Sequence, residues 1–166
     1  MNFDLTEEQE LLQETVRQFA ANECPPARVR AIFDGDAGHD PQLWKGLLEL
    51  GLGAIAVPDE FGGAGLELLD LALAAEVLGA EAVPGPFLGH SLAGLAILHA
   101  GSDAQRKTWL PKLASGERLG TIAFAEGDGR WQPEDWTLAR GAPSLRSPGS
   151  SSPSSPTRSS ASFAIS

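Results

Sequence analysis

Cysteine is almost absent from the sequence, which has one, Cys24, in 166 residues. One cysteine cannot form an internal disulfide, and no His or Cys stands near it at metal-ligand spacing. Basic residues are also few, at twelve Lys+Arg against 22 Asp+Glu, for a formal charge of −10. An acidic chain without a basic cluster is a poor electrostatic match for nucleic-acid phosphates or an anionic membrane surface. We therefore expect neither a metal site nor a nucleic-acid partner.

Long hydrophobic runs are missing as well. The longest apolar stretch, residues 87–100, is shorter than the about 20 residues that cross a bilayer. The N-terminus shows neither a basic region nor an apolar region of the kind that forms a secretory signal. These absences predict a protein of the reducing cytoplasm with no membrane insertion.

The composition changes abruptly after Arg140. Residues 1–140 carry all 22 acidic residues and a formal charge of −12, whereas residues 141–166 carry +2 and eleven of the fourteen serines. Such a Ser/Pro-rich segment buries too little apolar surface to order itself, so we expect a disordered tail over 141–166. A natural extension and a frameshift near Arg140 both explain the change, and we favour the frameshift.

Helical signals dominate the first part of the chain. Thr6 and Gln9 form one capping box and Ser102 and Gln105 another, each preceding a segment that carries apolar residues. Further helices are predicted after Asp40, over the leucine-rich segment ending near residue 79, and over 87–100. We expect the last capped helix to bend or stop at Pro111.

The periodicity changes after residue 117. Residues 119–125 are apolar and β-prone, residues 136–140 alternate as a strand does, and a glycine-rich turn lies between them. The fold class is therefore mainly α, with a helical domain over 1–117, the first strands of an incomplete β-domain over 118–140, and the tail. Two strands alone are only marginally stable, so the β-domain looks truncated.

The order of several short motifs resembles the N-terminal domain of the acyl-CoA dehydrogenase family and the start of its middle β-domain. The matching motifs are LTEEQ at 5–9, VRQFA at 16–20, LWK at 43–45, LGL at 50–52, VPDEFGGAG at 57–65, EVLG at 76–79, GSDAQR at 101–106, WLP at 109–111 and ASGE at 114–117.

This resemblance implies an FAD-dependent oxidoreductase that converts an acyl-CoA to its 2,3-enoyl-CoA, working as a homo- or hetero-oligomer. In the family the flavin lies between the β-domain and a C-terminal helical bundle, and that bundle supplies the catalytic carboxylate. The chain stops before the bundle, so no catalytic residue is assigned and the fragment is expected to be inactive alone, with stable FAD binding not expected.

The resemblance also implies five binding residues. Ile122, Phe124 and Ala125 match the flavin-facing places of the family's first strand. Leu88 and Leu92 match places that line the acyl tunnel. An ordinary core role for these leucines, together with Leu95, stays open.

The sequence departs from the family pattern just after the first strand. Ala125 stands where many relatives have threonine, and GDGR at 127–130 replaces their glycine-rich run. The departures put the hydroxyl hydrogen bond to the flavin and part of the CoA contact in question.

Two alternatives to the flavoenzyme come from other classes. Residues 89–93, GHSLA, resemble the nucleophile elbow of an α/β-hydrolase, with Ser91 as nucleophile, although Ala93 replaces the second glycine. The helical domain is also compatible with a non-catalytic module that binds a partner protein through an exposed apolar surface.

Overall fold

Residues 4–35, 39–122 and 163–165 are described by the structure, a computed structural model. The part described contains six α-helices and two short strands. The elements are α1 (Glu7–Glu23), α2 (Pro26–Phe33), α3 (Pro41–Glu49), α4 (Leu68–Ala80), α5 (Phe87–Ala100), α6 (Asp103–Ala114), β1 (Gly120–Ile122) and β2 (Phe163–Ile165). The predicted fold class, mainly α followed by the start of a sheet, is confirmed.

Both predicted capping boxes are present. The Gln9 amide donates to Thr6 Oγ1 at 3.2 Å, and the Thr6 amide donates to Gln9 Oε1 at 3.1 Å. Ser102 and Gln105 repeat the arrangement at the start of α6, at 3.3 and 2.8 Å. Each box satisfies two amide groups that have no partner inside the helix, which fixes where α1 and α6 begin.

Two elements differ from the sequence prediction. Helix α2 has no counterpart among the predicted helices, although Pro26 stands at its first position, where the missing N–H costs nothing. Helix α6 does not stop at Pro111 but continues to Ala114. Leu110 and Leu113, on either side of the proline, are 0% and 1% exposed, so burial holds the final turn in place.

The core lies between helix layers. Helix α1 packs along α4, while α5 packs against α6 and β1. A second, smaller cluster lies beneath α6. The main cluster consists of Val16, Trp44, Leu47, Leu52, Ile55, Leu71, Ala74, Val77, Leu78 and Phe87.

Strands β1 and β2 pair in an antiparallel sheet, with Gly120 opposite Ile165 and Ile122 opposite Phe163. Strand β2 falls within the segment for which the sequence predicts disorder. The rest of that segment and the predicted strand at 136–140 lie outside the described residues. In the described part of the chain, no helix combines the length and apolarity needed to cross a bilayer.

Candidate functional site

Helix α5 and strand β1 approach each other closely because small residues line their contact. A Cβ placed on Gly120 would lie 2.7 Å from the Cβ of Ala93. A Cβ placed on Gly89 would lie 3.1 Å from Thr121 Oγ1. Both distances are shorter than ordinary van der Waals contact, so the helix and strand backbones pack at a separation that larger side chains would not allow.

A buried histidine adds a hydrogen bond to this contact. The Gly120 amide donates to His90 Nδ1 at 3.2 Å, across thirty residues of sequence. The His90 ring is 1% exposed and meets Trp44 edge to face, with 5.0 Å between ring centroids. The first residue of β1 is therefore tied to the core side of α5 by a side-chain acceptor.

The His90 ring is held in its neutral form. Burial away from water lowers its pKa, because the charged form loses hydration, while the backbone at Leu113 and Gly53 acts in the opposite direction. Since Nδ1 accepts a hydrogen bond, the proton of the neutral ring lies on Nε2.

The candidate substrate-binding leucines lie on the neighbouring face of α5. Leu88 is 57% exposed and Leu92 is half-buried. Gly89 and Ala93 follow them by one residue each, which is about 100° further around the helix axis. Leu88 and Leu92 therefore lie about 100° around the helix axis from the residues that contact strand β1, and their role in binding an acyl chain stays a prediction.

The candidate flavin-facing residues are only partly described. Ile122, the last residue of β1, is half-buried, whereas Phe124 and Ala125 lie outside the described residues. Strand β1 carries no charged side chain, so its three residues offer a flavin the exposed Thr121 and the apolar side chain of Ile122. We therefore assign Ile122 no step in the reaction.

The cavity that the described residues form on the interior side of α5 is too small for an acyl chain. The cavity, of about 10 Å³, touches His90, Ser91 and Leu95, and its volume is far below the roughly 300 Å³ of a small-molecule site.

The His, Cys, Asp and Glu side chains of residues 4–35 and 39–122 do not converge into a possible metal site.

The hydrolase alternative lacks the required geometry. Ser91 lies inside helix α5 rather than on a strand-to-helix turn, and its hydroxyl is buried without a hydrogen-bond partner among the described residues. A nucleophilic serine needs a base within hydrogen-bond reach and an exposed oxygen. The described part of the chain provides neither at Ser91.

Comparison with known proteins decides the family. Residues 6–117 match the family described as acyl-CoA dehydrogenase, N-terminal domain. The chain belongs to the acyl-CoA dehydrogenase family. It is 44% identical over 121 residues to acyl-CoA dehydrogenase IpdE2 of Mycolicibacterium smegmatis, a match that covers 72% of this chain and 38% of the relative.

Solved structures of acyl-CoA dehydrogenases share the fold. A variant of the Tcur3481-Tcur3483 steroid ACAD matches with a TM-score of 0.68 at 35% identity, over 73% of this chain and 33% of the other. An acyl-CoA dehydrogenase from Bacillus anthracis, complexed with FAD, matches with a TM-score of 0.64 at 31% identity, over 76% and 22%. This acyl-CoA dehydrogenase family chain thus spans well under half the length of the proteins it matches.

The contact between His90 and Gly120 is the part of the site that sequence reasoning missed. From the sequence, His90 is interpreted as an ordinary packed or surface histidine, and it is thirty positions from Gly120. A faint signal exists in the small residues at 89 and 93, four apart on a helix, followed later by a glycine that opens a β-prone segment. Only the fold brings the two signals together.

Proposed function

We propose that the chain is the N-terminal portion of an FAD-dependent acyl-CoA dehydrogenase whose complete form oxidises an acyl-CoA to its 2,3-enoyl-CoA. The observation that carries the proposal is the close packing of α5, the helix that contains Leu88 and Leu92, on β1, the strand that ends at Ile122. FAD, when bound, accepts the hydride. The leucines would bind the acyl chain and keep water from it, and Ile122 would support the flavin together with Phe124 and Ala125.

The rest of the proposal concerns the setting in which the enzyme works. We place it in the cytoplasm, as a homo- or hetero-oligomer acting on an acyl-CoA, and the two-part name of the similar steroid ACAD supports assembly. By itself this chain is not expected to hold FAD stoichiometrically, because its match covers only 38% of the length of IpdE2.

A domain exchange tests the enzymatic proposal. Residues 1–122 of this chain would replace the corresponding part of IpdE2, and acyl-CoA oxidation would be followed with a dye as electron acceptor. The panel includes a linear acyl-CoA and a steroid acyl-CoA, because one similar structure is a steroid ACAD. We expect the hybrid to retain FAD and oxidise at least one thioester. A well-folded hybrid that retains FAD but oxidises none would contradict the proposal.

The leucine face is tested in the same hybrid. Leu92→Arg would place a charge beside the acyl chain and raise KM or abolish turnover, whereas Leu11→Arg, at a residue that is 67% exposed on α1, serves as a matched surface control. Equal activity of the two variants would remove Leu92 from the substrate site.

Desalting tests the expectation for the chain alone. The purified 166-residue chain would be mixed with excess FAD and passed over a desalting column, and the flavin absorbance of the protein fraction recorded. We expect no retained flavin. One flavin per chain would refute the expectation and show that the bundle is not required.

A partner-binding module is the second candidate, and one observation favours it. Leu66, Leu68 and Leu69 at the start of α4 are 44%, 63% and 51% exposed. Adjacent exposed leucines are typical of a surface that another chain covers. Dye binding by ANS together with light scattering separates the outcomes: a monodisperse oligomer with little dye uptake supports the module, and polydisperse aggregates with strong uptake contradict it.

A further inference from the structure

We propose that His90 is a positioning residue for strand β1, which its neutral ring holds in register on helix α5 by accepting the Gly120 amide. The consequence for Ile122 and a flavin rests on the proposed function. The hydrogen bond itself does not, and it is tested without any cofactor.

The contact is specific because both partners have little freedom. Gly120 fits only without a side chain, since a Cβ there would lie 2.7 Å from Ala93 Cβ and 3.2 Å from Leu113 Cδ2. His90 is enclosed, at 1% exposure, and Trp44 closes one side of its ring. The position of the Gly120 amide relative to the His90 ring is therefore fixed by the packing around both.

The Gly120 amide is the group that makes Nδ1 an acceptor. The groups near it are the Trp44 ring from α3, the backbone at Gly53 and Leu113, and the Gly120 amide. No charged side chain in the described part of the chain contributes to the lowered pKa of His90, which follows from burial. A neutral ring carries one proton, and the Gly120 amide at Nδ1 places that proton on Nε2, so the acceptor persists at neutral pH.

Holding Gly120 also fixes Ile122. The two residues are two positions apart, so the Ile122 side chain points to the face on which a side chain at Gly120 would stand, about 7 Å away along the strand. A slip of one residue would send Ile122 to the opposite face. One hydrogen bond at the start of a three-residue strand therefore sets which face Ile122 presents.

The spectroscopic test uses the full 166-residue chain, labelled with ¹⁵N. An N–H···N hydrogen bond transmits a scalar coupling between its two nitrogens, so we expect a cross-peak between the Gly120 amide nitrogen and His90 Nδ1. Absence of that coupling in a sample where both resonances are assigned would overturn the proposal.

Two variants separate positioning from packing. His90→Asn keeps an acceptor oxygen near the place of Nδ1, whereas His90→Leu fills the space without an acceptor. We expect hydrogen exchange of the Gly120 amide to accelerate about tenfold in His90→Leu and to remain near its original rate in His90→Asn. The Ile122 methyl resonances should move in His90→Leu and return in His90→Asn.

The results for His90 can be interpreted independently of the proposed function. Equal exchange rates and equal Ile122 shifts in the two variants would mean that His90 acts by packing alone, which overturns the proposal. If His90→Leu does not fold, the coupling in the original chain and the exchange rate in His90→Asn still decide. Failure of the IpdE2 hybrid to oxidise an acyl-CoA would contradict the proposed function. It would leave the conclusions about the hydrogen bond between Gly120 and His90 unchanged.

Discussion

Arg28 binds the carboxylate of Asp40 through two nitrogens, with Nε at 2.9 Å and Nη2 at 2.7 Å from Oδ2. The other oxygen of the carboxylate, Oδ1, accepts from the amides of Gln42 at 2.8 Å and Leu43 at 3.2 Å, which caps α3. Hydrogen bonding to Arg28 is the largest cause that holds the pKa of Asp40 below its ordinary value of 3.8. One carboxylate thus joins α2 to the start of α3.

Removing that carboxylate should destabilise the helical domain. We expect Asp40→Ala to lower the free energy of unfolding by about 1–2 kcal/mol, since both the cap and the pairing with Arg28 are lost. Asp40→Asn is the matched control, because asparagine caps as well as aspartate but carries no charge. Urea unfolding at neutral pH measures both variants, and an Asn variant as unstable as the Ala variant would show that capping is not the main contribution.

The pH dependence of stability should reveal the buried imidazole. Burial lowers the pKa of His90 below its ordinary value of 6.5. Below pH 6.5, His90 therefore binds a proton in the unfolded chain more readily than in the folded chain. The stabilisation is full above pH 6.5 and is lost as the pH falls towards the lowered pKa, with a slope of at most about 1.4 kcal/mol per pH unit.

His90→Asn isolates this effect from the other titrating groups. The difference in unfolding free energy between the original chain and His90→Asn, measured by urea at several pH values, should shrink as the pH drops below 6.5. A difference that stays constant between neutral and mildly acidic pH would mean that the ring titrates normally in the folded state.

Gly63 should tolerate no side chain. A Cβ there would overlap the carbonyl oxygen of Val57, a backbone atom with no freedom to move aside. The same loop is fixed by hydrogen bonds, including the Gly63 amide to the Pro58 carbonyl at 3.1 Å. We expect Gly63→Ala to cost about 2 kcal/mol or more of stability.

Gly79→Ala provides the matched control for that loss. A Cβ on Gly79 meets no atom within 4 Å, and alanine is the better helix former, so the control should be neutral or gain up to about 1 kcal/mol. Thermal unfolding of the two variants compares them directly. A Gly63→Ala variant as stable as the control would show that the loop rearranges easily.

Ala82 occupies a backbone conformation that suits glycine. Its φ is 51°, in the left-handed region, and it follows α4 in a terminating motif with the Ala82 amide on the Gly79 carbonyl and the Val83 amide on the Leu78 carbonyl. Ala82→Gly should raise the unfolding free energy by about 0.5–1 kcal/mol, because relief of strain exceeds the added flexibility of the unfolded chain. Urea unfolding checks this, with Ala80→Gly, at the last residue of α4, expected to lose stability instead.

Local signals were sufficient for much of the fold. The capping boxes at Thr6 and Ser102 were predictable because their partners lie three residues away. The end of α6 was not, since Pro111 has the residue type of a helix stop but the helix continues past it to Ala114. Residue type therefore predicts a cap whose partner is local, and fails where burial decides that a helix continues.

In the candidate site too, local features were predictable from the sequence and contacts between distant residues were not. Leu88 and Leu92 share a face because of their spacing, which the sequence contains. Their position relative to β1 depends on the small residues at 89 and 93 meeting a strand about thirty residues later, and the His90 contact depends on the same meeting. Contacts of that sequence separation follow from how the helices pack, and no local pattern encodes them.

The docking of β1 on α5 has a consequence for the order of events during synthesis. Among the described residues, Ala93, Leu113 and His90, which hold the strand to the helices, all precede β1 in the chain. The first strand can therefore dock as soon as residue 122 has left the ribosome, because N-terminal domains fold while later residues are still being added. The helical domain then presents a fixed strand edge on which the next strands assemble, so it acts as a template for the sheet.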